Sequence, residues 1–143
     1  MTVRAILEDK GRDVVTMRPD QSLAEATRLM AQRRIGAVVV TRSDGRTAGI
    51  LSERDIVRAL AEAGAAALDK PVSTAMTVGV RVCRESHTVN EVMEMMTHGR
   101  FRHLPVEGEG QLVGIVSIGD IVKQRVDEIE RDAEAMRDYI RTA

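Results

Sequence analysis

The sequence predicts a mixed α/β fold in which one strand, helix, hairpin, helix unit is written twice and the two halves share a core. Three observations carry the prediction. The segment Gly49-Ile50-Leu51-Ser52-Glu53-Arg54-Asp55-Ile56-Val57 returns as Gly114-Ile115-Val116-Ser117-Ile118-Gly119-Asp120-Ile121-Val122, identical at six of nine positions. In both copies an apolar run of strand length stops at a serine, where a helical pattern begins. Ser22, Glu25 and Met30 of an earlier helix recur 66 residues later as Thr88, Glu91 and Met96.

The elements follow in order. Residues 3–7 read as a short helix or turn, ended by Lys10-Gly11-Arg12 and placed to cover an open sheet edge. Val14-Val15-Thr16-Met17 is a short extended segment closed by Pro19-Asp20. Ser22 stands as an N-cap with Glu25 at the third helical position. Its helix reaches about Arg33, with Leu23, Ala26, Thr27, Met30 and Ala31 on one mostly apolar face. Residues 35–40 are too apolar for a solvated strand and too few for a buried helix, which makes them a central strand. Ser43-Asp44-Gly45 turns the chain, residues 48–51 return, and Ser52 caps a helix reaching about Ala63.

The second copy keeps this order. Its hairpin turn, Glu107-Gly108-Glu109-Gly110, is one residue shorter, and Leu104-Pro105-Val106 replaces Val38-Val39-Val40. Pro105 within a strand points to an edge or a bulge. Residues 65–73 form a linker with a short helical turn, and Met76-Thr77 leads into the next strand. The division expected is residues 1–70 and 71–143, neither half stable alone, because each offers a single amphipathic layer. Past Val122 the last helix continues, with Val122, Val126, Ile129, Ala133, Met136 and Ile140 spaced as a heptad-like seam. That seam either packs on its own domain or meets a second copy.

Composition narrows the functional classes. The chain has 143 residues, 43% of them hydrophobic, and a formal net charge of -1. It carries no Lys/Arg block long enough to track a phosphate backbone, which argues against nucleic acid. No apolar run approaches the roughly 20 residues of a membrane span, and the start Met1-Thr2-Val3-Arg4 lacks a secretory signal, so a cytoplasmic protein is expected. The single Cys83 fits a reducing compartment, although one thiol could still join two chains. His87 and His98 have no spacing that pairs them with Cys83 as metal ligands. Met93, Met95 and Met96 have helical spacing and read as core filling. Cys83 reads as an inert thiol, and no nucleophile or phosphate-loop motif is present; no catalytic centre is expected.

The repeated Ser-x-x-Asp admits two readings. It is close to a capping box, in which serine and acid only close a helix end. It also places a hydroxyl, a carboxylate and helix N–H groups at one corner, a suitable seat for a ribose and a phosphate.

The double pattern of strand, helix, apolar hairpin and Gly-h-h-Ser-x-x-Asp helix start resembles a pair of CBS domains, the cystathionine beta-synthase repeat, over about residues 14–123. The resemblance implies two β-α-β-β-α units about a pseudo-twofold axis, with an extended C-terminal helix added here. It implies two clefts for adenosine-containing ligands. One would use Asp120 and Ser117, with Arg102 and His103 near the phosphate, facing Val15, Thr16, Ile35, Gly36 and Ala37. The other would use Ser52, Arg54 and Asp55, facing Arg81, Val82, Phe101, Arg102 and His103. The Asp120 cleft looks better supplied with charge from the hairpin. AMP is the first candidate, ahead of ADP, ATP, NAD(H) and S-adenosylmethionine. The resemblance also implies a homodimer and a sensor acting on an unidentified protein target. A ligand-free interaction module using the tail helix is the rival reading.

Overall fold

The structure, a computed structural model, describes residues 1–142. After α1 (Val3–Lys10), the first unit runs β1 (Thr16–Met17), α2 (Leu23–Arg33), β2 (Ala37–Thr41), β3 (Thr47–Ser52) and α3 (Glu53–Ala63). Two short 3-10 turns, Gly64–Asp69 and Val72–Thr74, lead to α4 (Val89–Gly99), β4 (His103–Gly108), β5 (Gln111–Ser117) and α5 (Ile118–Thr142).

The helix starts are set locally. Ser22 Oγ accepts the Glu25 N–H at 3.1 Å, and Thr88 Oγ1 accepts the Glu91 N–H at 3.1 Å, so each cap satisfies a first-turn donor. Leu23, Ala26 and Met30 bury one face of α2, while Thr27 and Ala31, expected on that face, are exposed. Residues 35–40 behave as the apolar run requires: β2 is the middle strand of a sheet ordered β1-β2-β3, parallel to β1 and antiparallel to β3.

The second sheet differs in one respect from the repeat. It has two strands, β4 and β5, and the expected counterpart of β1 is reduced to a single bridge between Cys83 and Val106. Pro105 supplies the reason. In the first unit the Val39 N–H donates to Val15 O at 3.3 Å; Pro105 holds the corresponding position and has no N–H to give. The remaining contacts, Cys83 N–H to Pro105 O and Glu107 N–H to Cys83 O, both at 2.9 Å, hold one residue only. Cys83 is fully buried there, and burial pushes its thiol up to about 12. It is therefore not placed to join two chains, and it stays a thiol at neutral pH.

The segments leading into each unit are exchanged. Val3 N–H donates to His87 O (2.9 Å), Arg4 N–H to Glu85 O (3.0 Å), and Val89 N–H to Met1 O (3.0 Å). The linker repeats this set on the first unit: Val72 N–H to Gln21 O (2.7 Å), Ser73 N–H to Pro19 O (3.0 Å), and Leu23 N–H to Lys70 O (2.9 Å). So α1 covers an open edge, but that of the second unit. The expected shared core is two cores, tied by the exchanged segments: Val3, Ile6 and Leu7 join one with Cys83, Val92, Leu104 and Val116, while Val72 joins the other with Leu23, Val38 and Leu51.

This exchange also explains a repeated glycine. A Cβ on Gly49 would lie 2.5 Å from Thr77 O, where the linker crosses β3, and one on Gly114 would lie 2.8 Å from Leu7, where α1 crosses β5. The glycine of the repeated motif recurs because a foreign segment passes over it each time.

The tail helix does not fold back. Within α5 only Ile121 and Gln124 are buried, and the seam is solvent-facing, with Ile129 60% and Met136 64% exposed. Packing of the seam on its own domain is thus corrected. An apolar groove of about 300 Å³ between α4 and α5, lined by Met93, Met96, Ile121, Val122, Val126 and Ile129, runs into it.

Candidate functional site

The two Ser-x-x-Asp corners sit where β3 passes into α3 and β5 into α5, and in this structure both acids serve the helix end. Asp55 Oδ2 accepts the Ser52 N–H at 2.9 Å and the Ser52 hydroxyl at 3.1 Å, while the Asp55 N–H donates to Ser52 Oγ at 3.4 Å. Asp120 Oδ2 accepts the Ser117 N–H at 2.8 Å, and the Asp120 N–H donates to Ser117 Oγ at 3.1 Å. The capping reading therefore describes the acids in this state. The helix N–H groups expected to be free are partly engaged as well: Glu53 N–H donates to Gly36 O at 3.0 Å and Ile118 N–H to Arg102 O at 2.8 Å.

The corners differ in their remaining partners. Asp55 is 5% exposed, yet its Oδ1 meets only exchangeable side chains, the Thr77 hydroxyl at 3.2 Å and Arg58 Nη1 at 3.4 Å. Asp120 instead accepts from the Lys10 ammonium at 2.8 Å. Burial raises the Asp120 carboxyl, but the Lys10 ammonium and the Ser117 N–H together outweigh it and hold the group below the usual carboxylate range. His103, paired with Ser117 across β4 and β5, is lowered first by burial and then by the Lys10 charge.

A cleft of about 450 Å³ opens at the Asp55 corner. From the first unit it is lined by Gly36, Ile50, Ser52, Glu53, Arg54, Asp55 and Arg58; from the second unit and its lead-in come Thr77, Val80 and residues 99–103. Of the residues anticipated at this cleft, Ser52, Arg54, Asp55, Phe101, Arg102 and His103 are brought together, and Gly36 joins them from the other anticipated set. Arg81 and Val82 do not line it. Val15 packs on the first core, Thr16 is exposed, Ala37 is buried, and Ile35 lines a separate groove with Met30 and Ile56. Ser117 and Asp120 line none of the four cavities described. Arg102 and His103 face the cleft at Asp55, and Lys10 holds the other acid.

Arg58, Arg100, Thr77, Val80 and Lys10 were not anticipated. Arg58 had a signal, standing three residues after Asp55 on one helix face. Arg100 had a weaker one: like Arg34 it ends its helix in the left-handed region, at φ 56 against 54, and so recurs at the 66-residue offset. Thr77 and Lys10 reach the acids from 22 and 110 residues away, beyond any local pattern. Among the described residues no group of three or more His, Cys, Asp or Glu could hold a metal ion, and no helix is long and apolar enough to cross a membrane.

Comparisons with known proteins identify the repeated unit. The model of the CBS domain matches residues 3–62 and 72–127, starting at Val3 and Val72, the two residues that make matching lead-in bonds. A CBS-domain-containing protein from Agrobacterium tumefaciens is 53% identical, with a TM-score of 0.84 over 87% of this chain and 99% of that one. A CBS domain pair solved in complex with 5-methylthioadenosine and S-adenosyl-L-methionine is 25% identical, with a TM-score of 0.80 over 90% of this chain and 98% of that one. A CBS domain protein from Pyrobaculum aerophilum, complexed with AMP, is 28% identical, with a TM-score of 0.75 over 84% of this chain and 89% of that one. Two matched repeats, their order and their reciprocal lead-in contacts make this chain a member of the CBS-domain family, as a tandem pair.

Proposed function

We propose that this CBS pair is a regulatory module that binds an adenine nucleotide, AMP foremost, in the Asp55 cleft. The observation that carries the reading is how the cleft wall divides its chemistry. Ile50, Val80 and Phe101 supply apolar surface for a base, Ser52 and Asp55 Oδ1 sit where ribose hydroxyls can donate, and Arg54, Arg58, Arg100 and Arg102 surround the space with positive charge for a phosphate. A ribose hydroxyl has only the Thr77 and Arg58 contacts to displace from Oδ1, while Oδ2 keeps the cap. The volume falls within the range of about 300–1,000 Å³ usual for small-molecule sites. The adenosine-containing ligands of two related structures support the same class.

The mechanism is linkage. Both units line the cleft, so a ligand held there favours one relative arrangement of the halves, by its differential affinity for that arrangement and no more. ADP, ATP, NAD(H) and S-adenosylmethionine follow AMP as candidates, each bound and released unchanged. A reducing cytoplasm suits the single thiol. Thermal melting and calorimetry against this panel test the reading: AMP at 100 times its dissociation constant should add about 2.7 kcal/mol of stability. A panel with no shift and no heat would leave a ligand-free interaction module, and nucleotide consumed during incubation would leave an enzyme.

In the same reading the chain is a homodimer. The exposed seam of α5, and the grooves beside α3 and α5, leave apolar side chains such as Val57, Val126, Ile129 and Met136 in water, which a second copy would cover. Light scattering is expected to give twice the 15.7 kDa of one chain, and a monomer mass at micromolar concentration would remove the dimer.

A further inference from the structure

We propose that the exposed seam of α5 forms a parallel, in-register, two-stranded coiled coil with the same helix of a second copy, so that the two chains meet second unit to second unit. The proposal rests on the homodimer reading above and adds the direction and register of the contact.

The seam and the body use different faces of α5. The body holds the helix through Ile121 and Gln124. Val122, Val126, Ile129, Ala133, Met136 and Ile140 are all exposed, on a stripe about 130° further round the axis and about 27 Å long. The first three of them also line the groove between α4 and α5, so the seam continues an apolar surface of the second unit. The CBS match ends at residue 127, which makes the rear of the seam an addition to the repeat. A stripe of this length gives little by itself, and the groove extends the apolar area that a partner helix covers.

Charge decides the direction. The alternation of four and three residues makes Val126, Ala133 and Ile140 the a positions of a heptad, and Val122, Ile129 and Met136 the d positions. Arg125 and Asp132 then stand at g, and Lys123, Glu130 and Arg137 at e. In a parallel pair each g side chain faces the next e position of the other helix. That sets Arg125 against the partner's Glu130 and Asp132 against the partner's Arg137, and the twofold axis gives each pair twice. An antiparallel pair that aligns the whole seam instead sets Asp132 against the partner's Asp132, Glu130 against the partner's Glu130, and Lys123 against the partner's Arg137. All three are like charges. Glu130, Asp132 and Arg137 are exposed and, among the described residues, form no ion pair within the chain, while Arg125 spends one nitrogen on Glu128 at 3.2 Å. Exposed pairs of this kind add little to stability, but at e and g they set partner choice and direction.

Single cysteines in the full chain test the direction, because the native Cys83 is fully buried. Val126→Cys and Met136→Cys, each made alone, are expected to give a covalent dimer on mild oxidation, and Arg131→Cys, on the opposite side of the helix, is not. The positions of the first two lie about 15 Å apart along the axis, so an antiparallel pair can bring only one of them within the roughly 7 Å that a disulfide allows. Asp132→Arg should weaken the dimer roughly tenfold, and adding Arg137→Asp should restore it, both read by sedimentation equilibrium. A dimer in which Val126→Cys or Met136→Cys fails to cross-link, in which Arg131→Cys cross-links equally, or in which Asp132→Arg dissociates as wild type does, overturns the parallel seam and leaves the homodimer reading standing. A wild type that sediments as a monomer at micromolar concentration removes that reading and the coiled coil with it. A mass above that of two chains overturns the two-stranded seam.

Discussion

Leu7→Ala is expected to lower the melting temperature by roughly 10 °C, corresponding to about 2–5 kcal/mol for a large-to-small change in a closed core. The residue is 1% exposed and lies across Gly114, where the absent side chain of the glycine makes room for it. It belongs to the lead-in of the first unit and to the core of the second, so its loss opens a cavity in the second core and loosens the tie that α1 makes between the repeats. The neighbours that define the cavity, Cys83, Val92, Leu104 and Val116, sit on separate elements and cannot collapse together without moving a sheet. A melting temperature within about 2 °C of wild type would mean that α1 merely rests on the surface, and the exchange of lead-in segments would lose its energetic meaning.

The second large effect concerns affinity. Asp55→Asn should weaken AMP binding by about 1–3 kcal/mol, roughly 5- to 150-fold, because the ribose hydroxyls then donate to a neutral amide in place of a carboxylate. The fold should persist, since the amide oxygen can still accept the Ser52 N–H that closes α3. The same exchange at Asp120 should leave the affinity of the first site unchanged, because that acid stands at the other corner, where β5 passes into α5, and does not line the Asp55 cleft. Titration calorimetry on both variants separates them. Equal loss at both positions, or none at Asp55, would detach the Asp55 carboxylate from the ligand.

Much of this molecule was legible before any coordinate. The caps at Ser22, Ser52 and Thr88, the turn at Ser43-Asp44-Gly45 and the central strand at residues 35–40 all depend on spacings of a few residues, and the structure has each of them. The repeat made the second unit readable from the first, and it located the two acid corners. Where the repeat was imperfect, analogy gave only part of the answer. Pro105 was read as a sign of an edge or a bulge, and β4 is an edge of a two-stranded sheet with a register shift between Val106 and Glu107; the reading did not extend to the strand before it, which lost the N–H it needed and shrank to a bridge at Cys83.

The candidate site divides along the same line. Ser52, Arg54, Asp55, Phe101, Arg102 and His103 were assigned to one cleft through a resemblance, and they line one. The Lys10 ammonium beside Asp120 had no part in that assignment, which weighed only the charges carried by the repeats themselves. Arg58 was within reach of helix spacing, whereas Thr77 was not, since its approach depends on the linker crossing β3 over Gly49.

The sequence by itself determined the repeated unit, its helix starts and the chemical identity of both corners, because these follow from short-range hydrogen bonding and from the period of the apolar residues. Only the tertiary structure decided what each acid meets beyond its own cap. Asp55 meets Thr77 and Asp120 meets Lys10, the latter across 110 residues of chain, and such a contact is fixed by which core α1 buries its apolar face in, a property of the assembled fold that no local spacing records.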